Sequence, residues 1–164
     1  MDRPLRAKIL TVSDSAFRGE REDLSGQAVR RVLEQHKLQV LMNEVVPDEL
    51  DAIEKRLRAW CKEPDVDVIL TTGGTGVGPR DITPEATRPL LEREIPGLAE
   101  LMRAEGIKKT RRAALSRGLA GVSQGKLILN LPGSPRGAGD SLESVVELLP
   151  HIADLIRGKT RHEK

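Results

Sequence analysis

Apolar positions along this chain follow two periods, one short and one helical. Residues 7–12, AKILTV, form a short run rich in β-branched side chains, the pattern of a buried strand. The polar loop SDSAFRGERED follows. Ala28, Val29, Val32 and Leu33 then recur at helical spacing, and Ser25 is the expected cap of that helix. LQVLMNEVV, residues 38–46, reads as a second strand that Pro47 ends. Leu50, Ile53, Leu57, Trp60 and Cys61 share one face of a helix running from about Asp48 to Lys62. VDVILTT, residues 66–72, is apolar at nearly every position, as expected of a strand covered on both faces. Beyond it, Thr83 is expected to cap a helix with Pro84 in its first position, a place that suits proline. Residues 96–105 are helical again, and residues 119–131 read as two strands joined by a turn near Gln124-Gly125. A final stripe of Leu142, Val145, Val146, Leu149, Ile152, Ala153 and Ile156 predicts a helix from about Asp140 to Arg157, which Pro150 should kink or split.

This alternation of strands and helices predicts an α/β, three-layer sandwich: a mostly parallel sheet with one antiparallel strand and helices on both faces. The 164 residues suit a single domain, and no repeat, low-complexity run or linker divides them. Residues 158–164 read as a frayed basic tail. Phe17 and Trp60 are the only Phe, Tyr or Trp residues, so the core is aliphatic and single-stranded nucleic acid would find no stacking platform. The net charge is +2 with both signs interleaved, which is no nucleic-acid footprint. Cys61, the sole cysteine, reads as a small buried apolar residue, and His36, His151 and His162 match no zinc spacing. No apolar run approaches a membrane span or a signal-peptide core, so a cytoplasmic protein is expected.

The chemistry concentrates after the third strand, in LTTGGTGVGPRDITPEAT, residues 70–87. Gly73 and Gly78 have P-loop spacing, but Pro79 and Arg80 follow where lysine and a hydroxyl should stand. Gly74 and Gly76 are followed by Gly78, one residue early for a dinucleotide fingerprint. The physics of an anion cradle remains: glycines let backbone N–H groups approach a phosphate, and a helix start adds partial positive charge. Asp81 then stands out, because a carboxylate beside a phosphate is costly unless a cation lies between them. Mg²⁺ is the expected ion, since it takes one or two carboxylates together with substrate phosphates. Asp48, just past the second strand in VVPDE, is the expected second acid. Helix capping is the competing reading for each acid taken alone.

These residues, with LILNLPGSP, LTVSDS, EDLSG and LSR, resemble the molybdopterin-binding, MogA/MoaB-type family, including the G domain of gephyrin. The similarity spans residues 7–157. It implies adenylylation of molybdopterin with Mg-ATP, releasing pyrophosphate, by a homotrimer. It also implies hand-over of the product to a molybdenum-insertion protein. By resemblance, Asp48 and Asp81 hold Mg²⁺ against ATP, and Ser116 lies near the reacting phosphates. Gly73, Gly74, Thr75 and Gly76 cradle the nucleotide, with Arg80 offsetting its charge. Ser13, Asp14, Arg117, Pro132, Gly133 and Ser134 line the molybdopterin side. Asp23, Ser25 and Gly26 match a family element but are expected chiefly to cap a helix. The alternative is a non-catalytic MoaB-type paralogue that binds molybdopterin and transfers nothing. A gephyrin-like scaffold role needs further domains and is not expected.

Overall fold

A computed structural model describes residues 3–159; the rest of the predicted basic tail lies outside the described residues. Strands β1 (Arg6–Val12), β2 (Gln39–Val46), β3 (Val68–Thr72), β4 (Arg93–Glu94), β5 (Ala120–Ser123) and β6 (Lys126–Leu131) form one sheet in the order β2-β1-β3-β6-β5-β4. The first four strands in that order pair in parallel, whereas β5 runs against both β6 and β4. The expected turn at Gln124-Gly125 joins β5 to β6, and both residues have positive φ, as a tight hairpin turn requires.

Strand alternation sorts the core into two halves. Ala7, Ile9, Val68, Leu70, Leu127 and Leu129 face one layer, together with buried residues of α2 (Leu24–Gln35), α5 (Pro96–Ile107), α6 (Pro135–Glu143) and α7 (Leu149–Ile156). Leu10, Val12, Ile69 and Ile128 face the other, which α3 (Leu50–Cys61) and α4 (Thr83–Thr87) supply. The sheet is thus covered on both faces, and the three-layer α/β sandwich read from the sequence is the observed fold. Cys61 is buried in the second half.

Several element ends differ from the sequence reading. The α2 cap is Asp23, whose carboxylate accepts the Gly26 N–H at 2.8 Å, and Ser25 lies inside the first turn. Thr83 is likewise inside α4; its hydroxyl donates to the Gly73 carbonyl at 2.8 Å and so ties helix to loop. Part of the polar loop after β1 forms one helical turn, α1 (Asp14–Phe17), capped by Ser13. The last stripe is broken into α6, a 3₁₀ turn at Val146–Leu148, and α7. Pro150 sits in the first turn of α7, where its missing N–H costs nothing, so it begins a new helix instead of bending an old one. The helix α6 also starts earlier than expected, at Pro135, with Ser134 as its cap.

Candidate functional site

In the parallel part of the sheet the strands end on one side, and each end delivers a polar segment. β1 leads into Ser13 and Asp14, β2 into Asp48, β3 into Gly73 and Gly74, and β6 into Pro132, Gly133 and Ser134. Because β2 and β3 flank β1 on opposite sides, the chain reverses direction across the sheet here, and such a reversal opens a crevice at the carboxyl ends. A cleft of about 480 Å³ lies there. Ser13, Asp48, Gly73, Gly74, Asp81, Gly133 and Ser134 all line it.

The glycine loop requires glycine for two distinct reasons. Gly73 and Gly74 adopt φ of +101° and +69°, and a Cβ on either would stand 2.3 Å from the Val12 carbonyl or the Thr83 hydroxyl. Gly76 and Gly78 instead make room for the acid, since a Cβ on either would lie 2.8 Å from Asp81 Oδ2. Asp81 is held in that space by the Gly78 N–H, which donates to Oδ2 at 2.8 Å.

Asp48 and Asp14 are interlocked. The Asp14 N–H donates to Asp48 Oδ2 at 2.8 Å, and the Asp48 N–H donates to Asp14 Oδ1 at 3.0 Å. Arg80 forks onto Asp14 from outside, Nε to Oδ2 at 2.7 Å and Nη2 to Oδ1 at 3.0 Å. The two carboxyls therefore diverge. Hydrogen bonding from Arg80 holds Asp14 below its ordinary range, against burial. Burial pushes Asp48 up, and the neighbouring charges of Asp14 and Asp81 add to that against the Asp14 N–H and Arg80. A half-buried acid with other acids as neighbours favours a cation as its partner. Among the described residues, no group of three or more His, Cys, Asp or Glu is placed to hold a metal ion. A pair of carboxylates in a cleft still fits Mg²⁺, which completes its shell with phosphate oxygens and water.

Other residues expected at the site stand around the cleft. Thr75 is buried, and its carbonyl accepts the Arg117 N–H at 2.8 Å. Ser116 and Pro132 border a separate cavity of about 20 Å³ with Arg103 and Asn130. The Arg117 guanidinium faces the outside of the glycine loop. The cleft also takes in Thr11, Arg21, Glu22 and Leu24, which the sequence reading did not single out. Thr11 has a signal only in three dimensions: its hydroxyl donates to Asp23 Oδ2 at 2.8 Å, which Asn43 also reaches at 3.2 Å. Asp23 thus caps α2 and carries a polar network at the cleft wall.

Comparison with known proteins fits this arrangement. Residues 8–151 match the family described as "Probable molybdopterin binding domain". The chain belongs to this molybdopterin-binding domain family. Molybdopterin adenylyltransferase of Helicobacter pylori is 45% identical over 152 residues, covering 92% of this chain and 86% of that protein. The Drosophila melanogaster molybdenum cofactor synthesis protein cinnamon is 47% identical over 150 residues, but the chain spans only 25% of its length. Among solved structures, the molybdopterin biosynthesis enzyme MoaB of Thermus thermophilus aligns with a TM-score of 0.88 at 58% identity, covering 94% of this chain and 98% of that one.

Proposed function

We propose that this protein is a molybdopterin adenylyltransferase of molybdenum cofactor biosynthesis. The observation that carries the reading is the pair Asp48 and Asp81 facing one cleft beside a glycine loop at the carboxyl ends of parallel strands. In this reading a terminal phosphate oxygen of molybdopterin attacks the α-phosphorus of ATP. A new P–O bond forms, the bond to the bridging oxygen breaks, and pyrophosphate leaves with the electron pair. The nucleophile belongs to the substrate, so the protein needs no activated serine or cysteine; positioning and charge compensation suffice.

Asp48 and Asp81 would hold Mg²⁺, which supplies charge neutralisation of the triphosphate when bound. Gly73, Gly74, Thr75 and Gly76 would offer backbone to the phosphates, and Arg80, paired with Asp14 and with its side chain 59% exposed, is the cation at the rim. Ser13, Asp14, Pro132, Gly133 and Ser134 take the molybdopterin side and Ser116 stands near the reacting phosphates, whereas Arg117, expected on the molybdopterin side, is instead bonded to the carbonyls of the glycine loop. The reading includes a homotrimer, a cytoplasmic setting and hand-over of adenylylated molybdopterin to an insertion protein. No helix among the described residues is long and apolar enough to cross a membrane.

The test is pyrophosphate release from Mg-ATP and molybdopterin. Asp81→Asn keeps the shape of the side chain and removes its charge. It is expected to fold and bind molybdopterin while losing about 10²–10³-fold in AMP transfer. Transfer at the wild-type rate would remove Asp81 from the mechanism. A wild-type protein that binds molybdopterin and releases no pyrophosphate would be the binding-only paralogue.

A further inference from the structure

Arg117 touches none of the cleft yet grips the loop that builds it. It lies between the 3₁₀ turn Arg111–Leu115 and strand β5, on a segment distant in sequence from the glycine loop. Its backbone N–H donates to the Thr75 carbonyl at 2.8 Å. Its Nε donates to the Gly76 carbonyl and its Nη2 to the Asp81 carbonyl, both at 2.7 Å, and Nη1 pairs with the Glu85 carboxylate. One planar fork thus spans both ends of the turn that encloses Asp81. Inside the turn, the Gly78 N–H fixes Asp81 Oδ2, and the Asp81 N–H returns a bond to the Gly78 carbonyl at 3.1 Å. Residues 77–80 are exposed, and besides this inner pair and the outer fork the loop is held at its far end by the Arg80 side chain on Asp14. The anchor itself is fixed from behind: Arg103 Nη1 donates to the carbonyls of Ser116 and Gly118, each at 3.2 Å.

We propose that Arg117 is a positioning residue for the transfer reaction, setting the Asp81 carboxylate by closing the loop from outside. It acts through Asp81 and not on the substrate, because each of its three guanidinium nitrogens is bonded to a protein acceptor of the loop or of α4 and the residue does not line the cleft. The role rests on the adenylyltransferase reading, but its physical core can be tested without catalysis. Lysine cannot replace the fork, since a single ammonium cannot span two carbonyls and a carboxylate with fixed planar geometry.

Arg117→Lys and Arg117→Ala should melt close to the wild type while the amides of Gly78 and Asp81 exchange hydrogen about tenfold faster. Affinity for Mn²⁺ with a non-hydrolysable ATP analogue should fall by about tenfold in both variants. In an Asp81→Asn background, Arg117→Ala should change that affinity no further. Unchanged exchange at Gly78 and Asp81 overturns the proposal. An affinity loss that persists undiminished without the Asp81 charge also overturns it, because Arg117 would then act on the ligand directly. Should the wild type bind no Mn²⁺ with the analogue, the adenylyltransferase reading falls, and the exchange measurement still decides the brace. If the alanine variant does not fold, the lysine variant gives the same readouts.

Discussion

At the scale of single residues, the cleft holds charge that the protein alone leaves uncompensated. Burial, together with Asp14 and Asp81, pushes the Asp48 carboxyl above its ordinary value of 3.8. A folded-state value above the unfolded one means that the fold favours the protonated form. The stability this group contributes is therefore complete below 3.8 and is lost as pH rises through its folded value. Without divalent cation, Asp48→Asn should melt a few degrees above the wild type at neutral pH, and the gain should shrink as the pH is lowered. Adding Mg²⁺ with an ATP analogue should reverse the order, because only the wild type gains from binding. Thermal melts across pH, with and without ligand, check both parts; a variant that melts no higher at neutral pH contradicts the upward shift assigned to Asp48. The sequence made this acid legible because a strand followed at once by Pro-Asp places a carboxylate at a carboxyl end. It could not reveal the interlock with Asp14, which depends on β1 and β2 being neighbours in register. The direction of Arg117 was equally hidden, since a sequence shows a charge and not which carbonyls it meets.

At the scale of elements, one buried side chain joins four segments behind the site. Asn130 on β6 donates to the hydroxyls of Thr71 on β3 and Thr87 on α4, at 3.0 and 3.1 Å, and accepts the Leu119 N–H ahead of β5 at 3.1 Å. Asn130→Ala would take this partner from the buried Leu119 N–H and from two buried threonine hydroxyls, of which Thr87 still donates to the Thr83 carbonyl. A loss of about 3 kcal/mol is expected, read as a lower urea midpoint with unchanged slope. A midpoint close to wild type would mean that water takes over the vacated positions. Long apolar periods carried most elements from sequence to structure, and their interiors match closely. The ends were less legible because several residues suit more than one task. Thr83 has the chemistry of a cap, but its hydroxyl serves the Gly73 carbonyl. The helix α6 was masked by Gly137 and Gly139, which argue locally against a helix; packing against α2 overrides that, with Gly139 lying beside Val32. The two-residue strand β4 is too short for any period to show.

At the scale of the whole molecule, alternation announced a parallel α/β sheet but not its strand order, which follows from crossovers that leave no local mark. The same holds for what closes the end of the sheet away from the cleft. Asp67, just before β3, accepts Arg3 through both oxygens at 2.7 and 3.0 Å, the Arg6 N–H at 2.8 Å and Arg157 Nη2 at 2.7 Å. One carboxylate thereby links the segment entering β1, the start of β3 and the end of α7. Burial alone would raise its pKa, but the bonds from Arg3, the Arg6 amide and Arg157 outweigh burial and hold it below 3.8. A depressed folded-state value means that its stabilisation is present above 3.8 and is lost as pH falls through the folded value. Asp67→Asn should therefore cost stability at neutral pH. The Arg3 and Arg157 side chains are 41% and 31% exposed and can recover water, which limits the cost to about 2 kcal/mol. Below the folded value the wild-type carboxyl is itself neutral, so the two proteins should converge in acid. Urea unfolding at pH 7 and again at the lowest pH where both remain folded tests this. A gap that stays constant between those conditions would show that Asp67 holds Arg3 and Arg157 by shape and not by charge, and the clasp would then contribute nothing to acid sensitivity.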